Sequence, residues 1–590
     1  MTSRVVCAIA VAIGLQTVRD VRQETVGTGQ IAGIVTTEDA QPRPLRFASV
    51  TLSGDPLLSP RLFVTNSDGR FSFPKLPAGQ YTMQVRTSGY MPKNFGAKRP
   101  DGPGVSIVLA DGQRATDLSI ALTRWASISG IVYDQNGEPL ENASVEALAY
   151  SMRTGIRTLG SVYGKAIATD DRGIYRYAGL APGDYYLAVG PSESLGAIET
   201  LSSSDVDRAL QQLSAGTRPA ATGATSHSSV TYAPTYFPGT SELASATKIT
   251  LAAGEDRAGI DMRLQLVPAS HISGTVTMPD GSPASNISVN LTLVDVPNSI
   301  DLFRSADQSA GRTDASGRFH FSGVAPGRYD IKAQRVARQA VPQSSTGSAT
   351  PAISSDLLWA KTTVAVNGAD VDVALPLQGG LTLSGHLVFD GTTLKPPSDL
   401  SAVTIGVAIP GYVQLLGGSF NSAKADGTFL LAAIAAGRMR LTARVPGSTA
   451  TTGWFPRSAI VNGVDAFDAP VDIAQNTNDI VVTFTDHPTE LAGAVQTPPG
   501  EAASDYFVIV FSTDRAQWGP QSRRTVMARP TTAGAYRIVN LPPGEYFIAA
   551  VTDVMPNEWF DSEFLEQLAP ASLRITLAES EHKNQDIRIR

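Results

Sequence analysis

The chain has 590 residues, 42% hydrophobic and 17% charged, with 53 glycines, 38 prolines and a net charge of −7 from 47 Lys and Arg against 54 Asp and Glu. That length corresponds to about four domains of ordinary size, and the charged share falls below the roughly 25% of ordinary soluble domains, a balance that favours strands and turns over helices. The single cysteine, Cys7, excludes a disulfide framework and a thiolate zinc site, and no basic stripe of the kind a nucleic-acid binder carries is present.

Residues 1–27 form a leader. After Arg4 comes VVCAIAVAIGL, an apolar run with the length of an export-signal core and too short to cross a bilayer. The following QTVRDVRQE offers no small-x-small cleavage site, and a buried N-terminal strand or helix is the alternative. No later stretch reaches about 18 apolar residues, so no transmembrane span is expected. The leader points to a secreted or cell-envelope location, in the periplasm or at the cell surface.

The remainder divides into five units, 28–123, 124–267, 268–378, 379–487 and 488–590. Each opens on an apolar strand interrupted by glycine: IAGIV at Gly33, ISGIV at Gly130, ISGTV at Gly274, LSGHL at Gly385 and LAGAV at Gly493. Glycine inside such a strand marks a bulge or a close backbone contact. Further on, each unit repeats DGRFSFPKLPAGQY in a variant form: RGIYRYAGLAPGDY, SGRFHFSGVAPGRY, DGTFLLAAIAAGRM and AGAYRIVNLPPGEY. Phe71 and Phe73, with their counterparts Tyr175/Tyr177, Phe319/Phe321, Phe429/Leu431 and Tyr536/Ile538, alternate as one buried strand face does. The Pro-Gly pair that follows predicts a type II turn with glycine at positive φ, and a second alternating strand begins after it. Unit two carries the largest insertion, 191–246, in which LSSSDVDRALQQLSAG has the spacing of a short capped helix. With about seven short strands, each unit has the size of an independent domain and exceeds a solenoid repeat.

The pattern SGxV followed by TDxxGxFxFxxLxPGxYxLxV resembles the carboxypeptidase regulatory-like family, best in TDDRGIYRYAGLAPGDYYLAV of unit two and TDASGRFHFSGVAPGRYDIKA of unit three. Unit four, with AAGRM, has lost the turn proline and tyrosine. The resemblance implies a prealbumin-like or carbohydrate-binding-like fold, so the expected architecture is an all-β tandem array of about five seven-stranded Ig-like β-sandwiches. A straight file of such units would be a monomeric rod about 170 Å long. The same fold group resembles adhesin repeats that carry an internal Lys-to-Asn bond, but no lysine lies in the SGxV strands here and that bond is not inferred.

Catalytic chemistry finds no home. His487-Pro-Thr-Glu490 is the one His-x-x-Glu pair, with His582 the only later histidine, and no peptidase domain surrounds it. No nucleophile elbow or phosphate-cradling loop occurs. Asp170 and Asp314, with Asp68 and Asp426 in looser versions, supply too few carboxylates for a calcium loop and suit turn initiation. No metal or other cofactor is expected.

After the second core strand each unit places aromatic residues in a loop, usually near proline: Tyr90, Tyr236 with Phe237, Trp359, Trp454 with Phe455, and Trp559 with Phe560. Such rings stack on sugar faces or plug the ends of their own sandwiches and pad neighbours, the second role being the more ordinary. The function expected is a non-enzymatic binding, adhesion or spacer array, with a polysaccharide or another envelope protein as partner and no nucleic acid. The alternatives are a non-catalytic accessory part of a carboxypeptidase or other hydrolase system, by family analogy alone, and the periplasmic part of an outer-membrane receptor.

Overall fold

The computed structural model describes residues 26–100, 102–152, 155–162, 166–190, 198–200, 211, 214, 228–294, 310–335, 358–409, 421–449 and 451–589. The leader run and most of the helix expected in the insertion of unit two lie outside these residues.

Unit one shows the plan that all five follow. Its opening strand, Gly29–Thr37, is the centre of a three-stranded sheet, antiparallel to Arg70–Leu76 on one side and parallel to Arg114–Leu122 on the other. A second sheet is built on the antiparallel pair Ser49–Gly54 and Gly79–Arg86, flanked by Arg61–Val64, Lys93–Asn94 and Ile107–Leu109. Strand alternation sends every second side chain between the sheets, so Ile31, Val50, Phe71, Tyr81 and Ile120 meet in one core. The opening strands Ala126–Tyr133, Ser270–Thr277, Leu381–Asp390 and Glu490–Gln496 take the same central place, each with a parallel closing partner. The protein is thus all-β, with a separate core in each sandwich.

The opening-strand glycine is explained by its parallel neighbour. A Cβ added at Gly33 would stand 2.1 Å from the carbonyl oxygen of Leu118; the corresponding distances are 2.0 Å for Gly130 and Ile260, 2.2 Å for Gly274 and Val373, 1.9 Å for Gly385 and Ile480, and 2.0 Å for Gly493 and Gln585. No other residue fits at any of the five positions.

The Pro-Gly turn differs from its expected form. It is no hairpin: it hands the chain from the first sheet, where Arg70–Leu76 pairs, to the second, where Gly79–Arg86 pairs. The glycine accordingly has φ of +157° at Gly79, +153° at Gly183, +149° at Gly437 and +156° at Gly544, far more extended than the roughly +80° of a type II turn and in a region open almost only to glycine.

The Thr-Asp motif anchors the corner upstream. Thr169 Oγ1 donates to Leu140 O at 2.6 Å and accepts from Ala143 N at 2.9 Å, and Thr313 does the same with Ala284 O and Ile287 N. Asp170 Oδ1 accepts the backbone N–H groups of Ile174 and Arg172, and Asp314 those of Arg318 and Ser316. Those bonds, the one from Ile174 or Arg318 foremost, hold both carboxyls below the usual range. In unit one it is Asn66, two residues before Asp68, that accepts this pair of bonds.

Three units add to this shared plan, unit two with a third sheet of Ile198–Thr200, Ser228–Tyr232 and Leu266–Pro268. In unit four the strand Phe455–Val461 leaves the second sheet and pairs with Thr477–Thr485, widening the first sheet to five strands. In unit five the helix Ser562–Leu568, capped by Asp561, covers the outer face of Phe507–Ser512, whose six residues are all buried. Phe507, Ile509, Phe511, Trp518 and Leu565 form a second small core there.

The array is not a straight rod. Unit five rests against unit one, where Arg99 Nη2 lies 2.8 Å from Asp553, and against unit two, where Gly155 faces Phe560 and Pro520, as well as against its sequence neighbour, unit four. The rod expectation treated junctions as the only contacts between units. The charged loops of unit one instead find complementary carboxylates on unit five.

Candidate functional site

The eight loop aromatics have different surroundings. Trp454 is buried, its ring edge-on to Phe389 at 4.9 Å and its backbone N–H donating to Ser448 Oγ at 3.0 Å. Tyr236 is buried with Leu148, Leu159 and Ala188, and Phe237 is half-buried beside the core of unit two. Tyr90 stands at the junction of units one and two beneath the guanidinium of Arg124, 5.2 Å from the ring centroid. Phe455 is buried at the rim of a cleft of about 40 Å³ between units four and five, room for a few water molecules. Trp559 leans on the small core of unit five, and Phe560 beside it meets Gly155 of unit two.

Trp359 stands apart. It lies on Leu358–Val366, where the next residue, Ala360, is buried in the core, so alternation turns the indole to the outer face of the sheet. Its register partners are Gln334 on one neighbouring strand and Gln378 on the other. Directly paired residues share a face, so a half-buried indole is flanked by two amides in one row across three strands. An indole face packs on an apolar sugar face, while each amide offers both donors and an acceptor to hydroxyl groups. The sequence pointed to Trp359 but not to its glutamines, which register alone brings beside it.

The residues that could have suggested zinc are engaged elsewhere. His487 places Nδ1 2.7 Å from Asp486 and Nε2 2.8 Å from Thr392 Oγ1. Glu490 pairs with Arg537 at 2.6 Å, and His582 lies 3.8 Å away. Among the described residues no group of three His, Cys, Asp or Glu converges as metal ligands.

The densest charge cluster joins units four and five. Arg523 donates to Pro456 O and Arg457 O at 2.8 Å each and to Asp465 at 3.1 Å, and it also pairs with Asp468. Arg524 bonds Asp468 at 2.7 Å. Burial pushes the Asp465 carboxyl up despite the Arg523 charge, and Arg524 is held up by the charges of Tyr546 and Asp468 against the opposing effect of burial. A guanidinium fork filled on every side is a rigid anchor, so this cluster is a joint between units.

Five sandwiches built on one plan, with their titratable groups absorbed into turns and joints, define a tandem array of β-domains. Residues 30–123 and 271–373, in units one and three, each match the family model of the carboxypeptidase regulatory-like domain, consistent with a tandem array of such domains. No curated protein matches the chain. Among solved structures it is similar to the TIE protein of Bacillus anthracis, at 11% identity over 95% of this chain and 73% of that one with a TM-score of 0.16. It is also similar to a streptococcal ancillary pilin, at 12% over 59% and 99% with a TM-score of 0.18, and to two B repeat units of the collagen binding protein of Staphylococcus aureus, at 10% over 73% and 94% with a TM-score of 0.15. Identities and scores this low carry no statement about function.

Proposed function

We propose that this chain is a non-enzymatic array of the cell envelope or cell exterior that presents binding surfaces along a folded-back series of sandwiches, with carbohydrate as the ligand class. The observation that carries the ligand class is the row of Gln334, Trp359 and Gln378 on the outer face of unit three. A flat apolar ring between two amides suits a pyranose lying across the strands. Trp559 and Phe560, half-buried in unit five, offer a further aromatic surface among the loop residues. The apolar run after Arg4 supports export, and among the described residues no helix is long and apolar enough to cross a membrane. The absorption of His487, Glu490, Asp170 and Asp314 into structural bonds supports a role without turnover.

Affinity electrophoresis of the whole chain through gels containing neutral polysaccharides tests the assignment. Wild type should be retarded by at least one polymer, and Trp359→Ala and Gln378→Ala should each restore free migration with unchanged thermal unfolding. Migration of wild type unaffected by every polymer, or retardation that both variants keep, would reject it.

A further inference from the structure

Units one and five meet directly, through loops some 400 residues apart. Gly96 O accepts from Arg529 Nη2 at 2.7 Å, Lys98 pairs with Asp505, and Arg99 lies 2.8 Å from Asp553. Thr532 adds itself to the edge of the unit-one sheet, its N–H donating to Ser106 O at 2.9 Å and its hydroxyl accepting from Val108 N at 3.0 Å. Lys98 and Arg99 on unit one face Asp505 and Asp553 on unit five, while the buried Arg529 of unit five lies 3.8 Å from Asp505 on its own side of the contact.

Two features separate this contact from the joint between units four and five. The ion pairs that cross this contact are open to solvent, with side-chain exposures of 32% and 70% for Lys98 and Asp505 and of 44% and 48% for Arg99 and Asp553; the joint has one such pair, Arg457 with Glu579, but is centred on Arg523 and Asp468 at 23% and 8%. Nor does any apolar core span it: the core that contains unit-one residues contains those alone, and both cores of unit five are likewise their own. Contacts held by exposed charge weaken as the screening length falls from about 10 Å at 0.1 M salt to about 3 Å at 1 M, whereas a filled and partly buried guanidinium fork is screened far less.

We propose that the contact between units one and five is an electrostatic latch, which holds unit five on unit one at low ionic strength and lets the array extend when the Lys98–Asp505 and Arg99–Asp553 pairs are screened and the smaller contact of Phe560 with Gly155 of unit two parts with them. Units four and five move as one body in both states. Opening uncovers the Gly96–Val108 face of unit one and the Asp505–Asp553 face of unit five.

Small-angle X-ray scattering of the whole chain at about 0.05 M and about 1 M sodium chloride reads the change directly. A compact chain of this length has a radius of gyration of about 25 Å, and a straight file of five such units about 50 Å. The radius should lie near the lower value in low salt and climb toward the upper one in high salt. The double variant Lys98→Glu with Arg99→Glu should be extended in low salt already, with an unchanged melting temperature. Adding Asp505→Lys and Asp553→Lys reverses the polarity and should close the array again. A wild-type radius that ignores salt, a wild type extended at both salts, or an opened double variant that the reversed pairs fail to close would each overturn the latch.

Discussion

Tyr185 reaches back across its sheet-to-sheet corner and donates its phenol to Ala181 O at 2.6 Å. The bond recurs from Tyr81 to Pro77 O at 2.6 Å and from Tyr329 to Ala325 O at 2.9 Å, and Tyr546 bonds Pro542 O likewise. It explains why tyrosine follows the turn glycine in four units, and what unit four gives up with Met439. Tyr185→Phe keeps the ring and removes the bond, leaving Ala181 O without this donor. The expected loss is about 1 kcal/mol, measured as faster amide exchange in strands 174–180 and 183–190 than in wild type, while unit four, which never had the bond, exchanges as before.

Two of these tyrosines, together with Tyr175, whose hydroxyl bonds Ile260 O, govern behaviour at high pH. Burial raises the Tyr329 and Tyr175 hydroxyls well above the usual phenol range, and it pushes Tyr546 up to about 12. A raised folded-state value means that the native form holds its proton more tightly, so this stability is complete below the unfolded value of about 10 and is lost as pH rises through the folded one. Melting temperature should therefore be flat up to about pH 10 and fall beyond it, and Tyr329→Phe should blunt the fall in unit three. A decline that starts near neutrality would contradict this.

Gly130→Ala places a methyl group 2.0 Å from the carbonyl oxygen of Ile260. Backbone cannot yield there without breaking the parallel ladder, and the cost should be about 3 kcal/mol or more. Gly160→Ala, on a strand where nothing lies within 4 Å of the added carbon, is the matched control. Limited proteolysis should cut the first variant within unit two and leave the second as resistant as wild type.

Asp486 ties the end of unit four to its own interior. Its side chain is fully buried and accepts the N–H groups of Thr393 at 2.7 Å and Leu394 at 2.6 Å. Burial alone would raise this carboxyl, but the N–H bonds from Leu394 and Thr393, with His487, outweigh it and hold the value below the usual range. A depressed value gives stability that is present above the unfolded value of about 4 and lost as pH falls through the folded one. Asp486→Asn should cost about 2 kcal/mol at neutral pH and remove the acid-side decline of unit four, seen by monitoring Trp454 fluorescence against pH.

Arg523→Ala should uncouple units four and five, because it leaves Asp465 without its guanidinium partner and Asp468 with Arg524 alone in a partly buried joint, at a cost of about 3 kcal/mol. Arg523→Lys should rescue little, since an ammonium cannot fill four acceptor positions at once. Differential scanning calorimetry should show the two units melting together in wild type and apart in either variant.

How much of this was legible in the sequence depends on how local the cause is. The five variants of DGRFSFPKLPAGQY place the strands and corners because each is decided within some fifteen residues, and glycine inside an apolar strand points to the close contact at Gly33 or Gly493. The extended φ at Gly183 is not legible in this way, since it follows from which sheet the next strand joins. Trp454 looked like its loop counterparts, yet it is buried because Phe455–Val461 changes sheets in unit four alone. The row around Trp359 and the meeting of Lys98 with Asp505 depend on register and on partners some 400 residues away, where no periodicity reaches.

The parallel pairing of opening and closing strands also decides how the chain would carry a mechanical load. In unit three, Ser270–Thr277 enters and Val371–Pro376 leaves side by side and in the same direction, so a pull on the two ends drags these strands past one another lengthwise. Every hydrogen bond in that ladder must then yield together rather than one after another, as they would if the strands were peeled apart. The five glycines let the backbones approach closely enough to form that ladder, so the residues with no side chain are the ones that make each unit resistant to tension.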